Sequence, residues 1–352
     1  MRRVVALGLA TVVGTSAGAA HAGTPTTQQL VGQKLVVSMD GTTPTASLLQ
    51  RIRGGRVGGV LIHRYNFTSA AGLTALTRTL RRAAAEGGQP RLLIAVDQEG
   101  GAVKTVSWIP PTRSPPEMGR VGSSTVARRQ GRRTGEALRA LGIDTDFAPV
   151  ADVPASSASF IFRQGRSWSF SAATTSRLAN AFGVGLGRGG ALATMKHFPG
   201  LGFATQNTDT SGVRITASKT ALSPGLDPYR RAVEKGIPIV MLSNAVYTAY
   251  DRGNAAGWSR AIGATLLRRG LGFRGVTITD SLDAPARVRG IETSVLAIHA
   301  AKAGTDLLLL TGTEASSRAV HRALVAAASD GRIRRSRLVT SYDRILALKR
   351  SF

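Results

Sequence analysis

Between Leu35 and Leu310 the chain repeats one pattern eight times: a short apolar run, then a polar junction, then helix-type spacing. The runs are Leu35–Ser38, Gly59–Ile62, Leu92–Val96, Ile143–Val150, Ala191–Met195, Ile237–Leu242, Val276–Thr279 and Leu307–Leu310. Most are continuous apolar stretches and do not alternate apolar with polar residues. Strands of a parallel sheet covered on both faces read this way. Between the runs, Leu73, Leu76 and Leu80 share a helical face, as do Thr134, Ala137, Leu138 and Leu141. Val320, Leu324 and Ala327 repeat at the same spacing after the last run, followed by Leu338, Tyr342, Ile345 and Leu346. Eight such units predict a single-domain α/β fold, a (β/α)8 TIM-type barrel over residues 23–352. The competing architecture is an open doubly wound sheet. It is disfavoured because no G-x-G-x-x-G opens a helix after the first run. No linker divides the chain, and the four prolines between Pro110 and Pro116 fit a loop after the third strand.

The segment before these units reads as an export signal. Met1-Arg2-Arg3 is a positive start, Val4 to Ala20 is apolar and small, and Ala20-His21-Ala22 fits the small-x-small cleavage rule. Residues 1–22 are therefore expected to be removed, which N-terminal sequencing of exported protein would show as a start near Gly23. The competing reading is an uncleaved anchor. No later run is apolar enough to span a bilayer. The chain has no Cys, which excludes a disulfide framework, a thiolate metal site and a lipid-modified signal. Its 46 Lys and Arg face only 20 Asp and Glu. The excess is spread along the chain, and aromatics are only 5%. Nucleic-acid binders concentrate such charge and interleave aromatics. The pattern points instead to an anionic cell surface, giving a secreted or wall-associated protein that binds no nucleic acid.

The polar junctions carry the chemistry. In barrels, catalytic groups come from the C-terminal ends of the strands. Here those positions hold Asp40, His63, Asp97-Gln98-Glu99-Gly100-Gly101, Asp146 and Asp152, Lys196-His197, Ser243-Asn244, and Asp280 with Asp283. A ring of carboxylates with one Lys and two His reads as a site. About a third of the acids, Asp283 among them, are expected to cap helices instead. Lys196 closes an apolar strand, and a buried Lys must be paired. With His197 it offers donors to the hydroxyls of a polar ligand. Asp97, at the strand end, is the ligand-facing carboxylate, whereas Glu99 is expected to bond the backbone of the glycine turn. No H-E-x-x-H or nucleotide motif occurs, so no metal and no cofactor is expected.

Together these blocks resemble the catalytic barrel of glycoside hydrolase family 3, and within it the single-domain bacterial β-N-acetylglucosaminidases. The matching stretches are Val96 to Gly101, Gly165-Arg166-Ser167, Lys196 to Gly200 and Gly275 to Asp280, in the family's order and spacing. The resemblance covers roughly Gln28 to Phe352. It implies a retaining glycosidase acting on a carbohydrate substrate, terminal β-N-acetylglucosamine of peptidoglycan or chitin fragments. It also implies Asp280 as nucleophile, Asp97 as the carboxylate holding sugar hydroxyls, and Lys196, His197 and Arg166 as further sugar ligands. Because the chain stops after the helix that follows the eighth strand, a one-domain member is expected.

Three departures from the family pattern stand out. Ala102-Val103-Lys104-Thr105 replaces the usual Arg-Val-x-Arg, with Lys104 as a substitute for one arginine. Asn244 replaces a His after the sixth strand. The Asp–His acid/base pair beyond the fifth strand has become Asn207-Thr208-Asp209. The five histidines are His21, His63, His197, His299 and His321, and none lies on that loop. Asp209 is then the acid/base candidate, with Asp146 or Asp152 next. The alternative is a member that has lost hydrolysis and binds cell-wall carbohydrate.

Overall fold

The computed structural model describes residues 24–352; the predicted signal segment lies outside them. The eight barrel strands are β1 (Leu35–Ser38), β2 (Gly59–Leu61), β3 (Leu93–Val96), β4 (Thr145–Asp146), β5 (Leu192–Phe198), β6 (Ile239–Leu242), β7 (Val276–Thr279) and β8 (Leu308–Leu310). They pair in parallel in chain order, from β8 through β1 round to β7. A parallel bridge between Ile278 and Leu307 closes the ring, so the expected barrel is found. Two strands differ from the expectation. The fourth run forms a ladder over only Thr145–Asp146, with a single further bridge from Val150 to Lys196. β5 instead continues past Met195 through Lys196 and His197 to Phe198.

Strand geometry turns side chains alternately to the two faces, and the two apolar clusters follow that alternation. Val36, Leu61, Leu93, Ala95, Phe147, Leu192, Ile239, Met241, Val276, Ile278, Leu307 and Leu309 form the inner cluster. The last helix (Arg335–Arg350) adds Ile345 and Leu348 to it. Val37, Val60, Ile94, Val96, Ala193, Met195, Val240 and Leu242 point outward into a ring shared with the helices. A helix covers the barrel after every strand. Those used below are α1 (Ser124–Ala140), α2 (Ala172–Arg188) and α3 (Asp283–Arg289).

The α1–α2 contact is a close approach of backbones. A Cβ on Gly131 would stand 2.1 Å from the Phe182 carbonyl oxygen, and one on Gly185 would stand 2.3 Å from that of Arg128. Neither backbone atom can rotate away. Gly131→Ala is therefore expected to destabilise the protein by about 1–3 kcal/mol through overpacking, readable in urea unfolding. An unchanged midpoint would show that the helices can part at no cost.

Candidate active site

The inward rows of the barrel change from apolar to polar at one end. Leu93 and Ala95 point inward on β3, and Asp97 is next in the same row. Val276 and Ile278 do so on β7, followed by Asp280. Leu192 heads the row on β5 that reaches Lys196. Leu61 leads to His63, and Leu309 to Thr311. The result is a cavity of about 660 Å³ whose wall includes Leu61, Met241 and Leu309 of the inner core beside His63, Asp97, Lys196, Asp280 and Thr311. The six residues that the sequence assigned first to catalysis or sugar binding all line it: Asp97, Arg166, Lys196, His197, Asp209 and Asp280.

Lys196 is the centre. Its ammonium lies 2.6 Å from Asp97 Oδ1 and 2.6 Å from Glu99 Oε1. Arg166 donates through Nε to Glu99 Oε2 at 2.9 Å and through a terminal nitrogen to Oε1 at 2.7 Å. The Lys196 side chain is 3% exposed and Glu99 1%, but Asp97 keeps 33%. Burial alone would raise the Glu99 carboxyl; Lys196 and Arg166 outweigh it and hold the pKa at about 2. Burial likewise opposes the charge on Lys196, yet the two carboxylates raise its pKa above the usual lysine value. Glu99 thus does not bond the turn backbone as expected. The signal was present: in a D-x-E pattern, strand-like spacing puts both acids on one side.

His197 is fixed by a buried carboxylate. Asp152 sits 2.8 Å from Nδ1 and accepts from the backbone N–H groups of His197 and Leu201 at 3.2 and 2.7 Å. Its Nε2 is the ring nitrogen left for a ligand. Opposite, His63 Nε2 lies 2.7 Å from Ser38 Oγ, and the ring stacks on Tyr65 at 5.1 Å.

Asp280 accepts from the Ser281 N–H at 2.7 Å. Burial raises its pKa, His197 pulls it back, Asp209 pushes it up again, and the net shift is upward. Asp209 is exposed on the loop after β5. Its N–H donates to Asn207 Oδ1 at 3.0 Å, and its carbonyl accepts from Arg287 of α3 at 3.4 Å.

Other rim residues have structural duties. Asp40 accepts from the Glu314 N–H at 3.2 Å, and Asp283 accepts from the Thr311 N–H at 2.7 Å, so both serve the backbone. The reserve acids are not on the cavity wall: Asp152 serves His197, and Asp146 accepts from the Gln98 N–H at 2.9 Å. At the two positions of the family's arginines, Ala102 forms part of the wall and Thr105 does not; Val103 lines the cavity, and Lys104, the expected substitute, is not part of it. Asn244 turns its amide to the Ser281 carbonyl at 2.7 Å. The sequence reading did not pick out Gln164, Arg287 and Thr311, which also line the cavity. Thr311 was reachable by extending the alternation of Leu307 and Leu309.

The fold and this cavity define a (β/α)8-barrel glycoside hydrolase. Residues 26–348 match the glycosyl hydrolase family 3 N terminal domain, and the chain belongs to that family. A protein of Arthroderma benhamiae named "Uncharacterized secreted glycosyl hydrolase" is 35% identical over 327 residues, 90% of this chain and 92% of its own. A beta-hexosaminidase of Methylobacillus flagellatus is 32% identical, covering 78% of this chain and 79% of its own. Among solved structures, the beta-N-acetylhexosaminidase of Beutenbergia cavernae superposes with a TM-score of 0.84 at 32% identity, covering 93% of this chain and 99% of that one. The family 3 beta-N-acetylglucosaminidase of a Paenibacillus species gives 0.88 at 30% identity over 93% of this chain, which spans only 63% of that longer protein.

The buried cluster predicts an acid-sensitive core. Glu99 has a depressed pKa, so its stabilisation is fully present above the unfolded value near 4.5 and is lost as pH falls towards about 2. Glu99→Gln should lower stability at pH 7 by about 3–5 kcal/mol, because two cations lose a partner. It should also flatten the fall in melting temperature across that acid window. A variant that melts like wild type at both pH values would remove Glu99 from the core's electrostatics.

Proposed function

We propose that the protein is an exported, retaining β-N-acetylhexosaminidase that removes terminal β-linked N-acetylglucosamine from peptidoglycan or chitin-type fragments. The observation that carries this is one cavity holding a hydroxyl-binding cluster (Asp97, Lys196, Arg166, His197) together with two carboxyls, Asp280 and Asp209, close enough for one to shift the other. The sugar and the export follow the relatives' names and the N-terminal segment. Hydrolysis with retention needs two such groups about 5 Å apart.

In this mechanism the ionised Asp280 attacks the anomeric carbon. The bond to the leaving oxygen breaks, and Asp209 gives that oxygen its proton. A water molecule then attacks the glycosyl–Asp280 ester, Asp209 takes the water's proton, and the sugar leaves with its original β configuration. Asp97 and Lys196 fix the hydroxyls throughout. The second reading, a carbohydrate binder without hydrolysis, draws on the exposure of Asp209.

Kinetics on two substrates separate the readings. Asp280→Ala should hydrolyse neither an aryl β-N-acetylglucosaminide nor a chitin disaccharide, and intact mass should show no glycosyl-enzyme. Asp209→Ala should lose about 10²–10⁴-fold on the disaccharide, whose leaving group needs a proton. It should keep much more of the aryl-substrate glycosylation rate. Asp280 works ionised, so kcat/KM should fall as pH drops through its raised pKa. The acid limb then lies above an ordinary aspartate, near 3.9, and Asp209→Asn should move it down by removing a facing negative charge. If wild type binds the sugar but cleaves neither substrate, the binder reading replaces this one. An indifferent Asp209→Ala would remove Asp209 from the proton transfers.

A further inference from the structure

Away from the cavity, on the outer face of the barrel, three segments converge on a second concavity. Arg260 comes from the start of the helix after β6, Lys302 from the end of the helix after β7 (Thr293–Ala303), Arg332 and Arg334 from the turn into the last helix, and Arg337 from that helix's first turn. These five cations alone line a depression of about 200 Å³. It shares no residue with the cavity described above. Arg332 is paired with Asp330 at 2.7 Å. Among the described residues the other four have no carboxylate partner within 4 Å. Four unneutralised cations around one hollow repel one another, and a multivalent anion relieves that repulsion.

We propose that this hollow is a binding site for a linear phosphate polymer, holding the protein at an anionic envelope while the barrel mouth stays free. Concave shape and lack of aromatics select the ligand. A flexible chain can thread successive phosphates into a pocket of this size, whereas a rigid duplex presents a convex surface and needs a stripe. Single-stranded nucleic acid needs exposed rings for its bases. Trp258, in the adjoining depression, is buried, and the Arg289 guanidinium covers its ring at 5.1 Å. Guanidinium groups suit phosphate because their fork matches two oxygens at once. The charge lies in the local fold and not only in the overall +26, so it is testable against that total.

The test is fluorescence anisotropy with labelled linear polyphosphate and the full chain, at 50 and 200 mM salt. Lys302→Gln, Arg334→Gln and Arg337→Gln combined should weaken binding at least tenfold and flatten the salt dependence. Thermal melting and glycoside hydrolysis should stay at wild-type levels. The control combines Arg78→Gln, Arg82→Gln and Arg129→Gln, which removes the same charge from exposed positions elsewhere. It should change affinity less than threefold. Equal losses in both triple variants would overturn the proposal, because binding would then follow net charge alone. Tighter binding of duplex DNA than of polyphosphate, lost in the first variant, would overturn the choice of ligand.

Discussion

The Lys196 ammonium organises the mouth of the barrel. Burying a cation costs several kcal/mol unless close carboxylates and good geometry offset it. Here Asp97 and Glu99 supply the charge, and Arg166 balances the second acid, giving two cations and two anions in one connected group. The group ties the exit of β3, the segment after β4 and the end of β5 into one unit. It also divides labour between the two acids. Glu99 spends both oxygens on cations and is closed to solvent. Asp97 uses only Oδ1 and keeps a third of its side chain exposed, leaving Oδ2 for a ligand hydroxyl. Under the proposed function, the edge that takes the sugar hydroxyls is set before substrate arrives, as preorganisation requires.

The same alternation that fills the barrel made much of this legible in the sequence. A run such as Leu93–Val96 fixes which residues face inward, so Asp97 follows from its place in the row; Asp280 after Val276–Thr279 is the same case. The fourth run was harder, because its ladder covers only Thr145–Asp146 and the alternation fades towards Asp152. Asp152 was visible as an acid, but its task of seating His197 depends on β5 lying alongside, a contact no local pattern encodes. For Glu99 the D-x-E spacing gave the side it faces but not the partners it meets. Its partners lie 67 and 97 positions away, at Arg166 and Lys196, while the adjacent glycines suggested a local role.

The charge imbalance has a structural origin. Six of the twenty acids are buried: Glu99, Asp144, Asp146, Asp152, Asp306 and Glu314. Several of them rivet arginines. Asp144 accepts from Arg81, Arg91 and Arg139, and Asp306 from Arg268 and Arg344. Anionic groups are thus withdrawn into the site and the strand ends, while most arginines stay outside. The exterior is more cationic than the composition alone states, and unpaired groups such as Arg334 and Arg337 gather where no acid was left to meet them. A surface of this sign attracts anionic groups without involving the neutralised cluster at the mouth.

The two carboxyls of the proposed reaction are held to different standards, and the chemistry explains why. A nucleophile must meet one carbon along one line, and strands position groups more tightly than loops. Asp280 accordingly leaves β7 with Oδ1 bonded to the adjacent backbone N–H. A proton donor has more latitude, since it has to reach an oxygen whose position varies with the leaving group. Asp209 sits on a turn closed by bonds from the Thr210 and Ser211 N–H groups to the Asn207 carbonyl. The turn is tethered through Arg287 to α3, the helix that starts just beyond Asp280. Movement of the loop is therefore referenced to the segment that carries the nucleophile. A sugar filling the cavity would exclude water from the space around Asp209 while its proton passes to the leaving oxygen. In the proposed reaction, once Asp280 is held as an ester, Asp209 is the carboxyl left on the wall to take the proton of the incoming water.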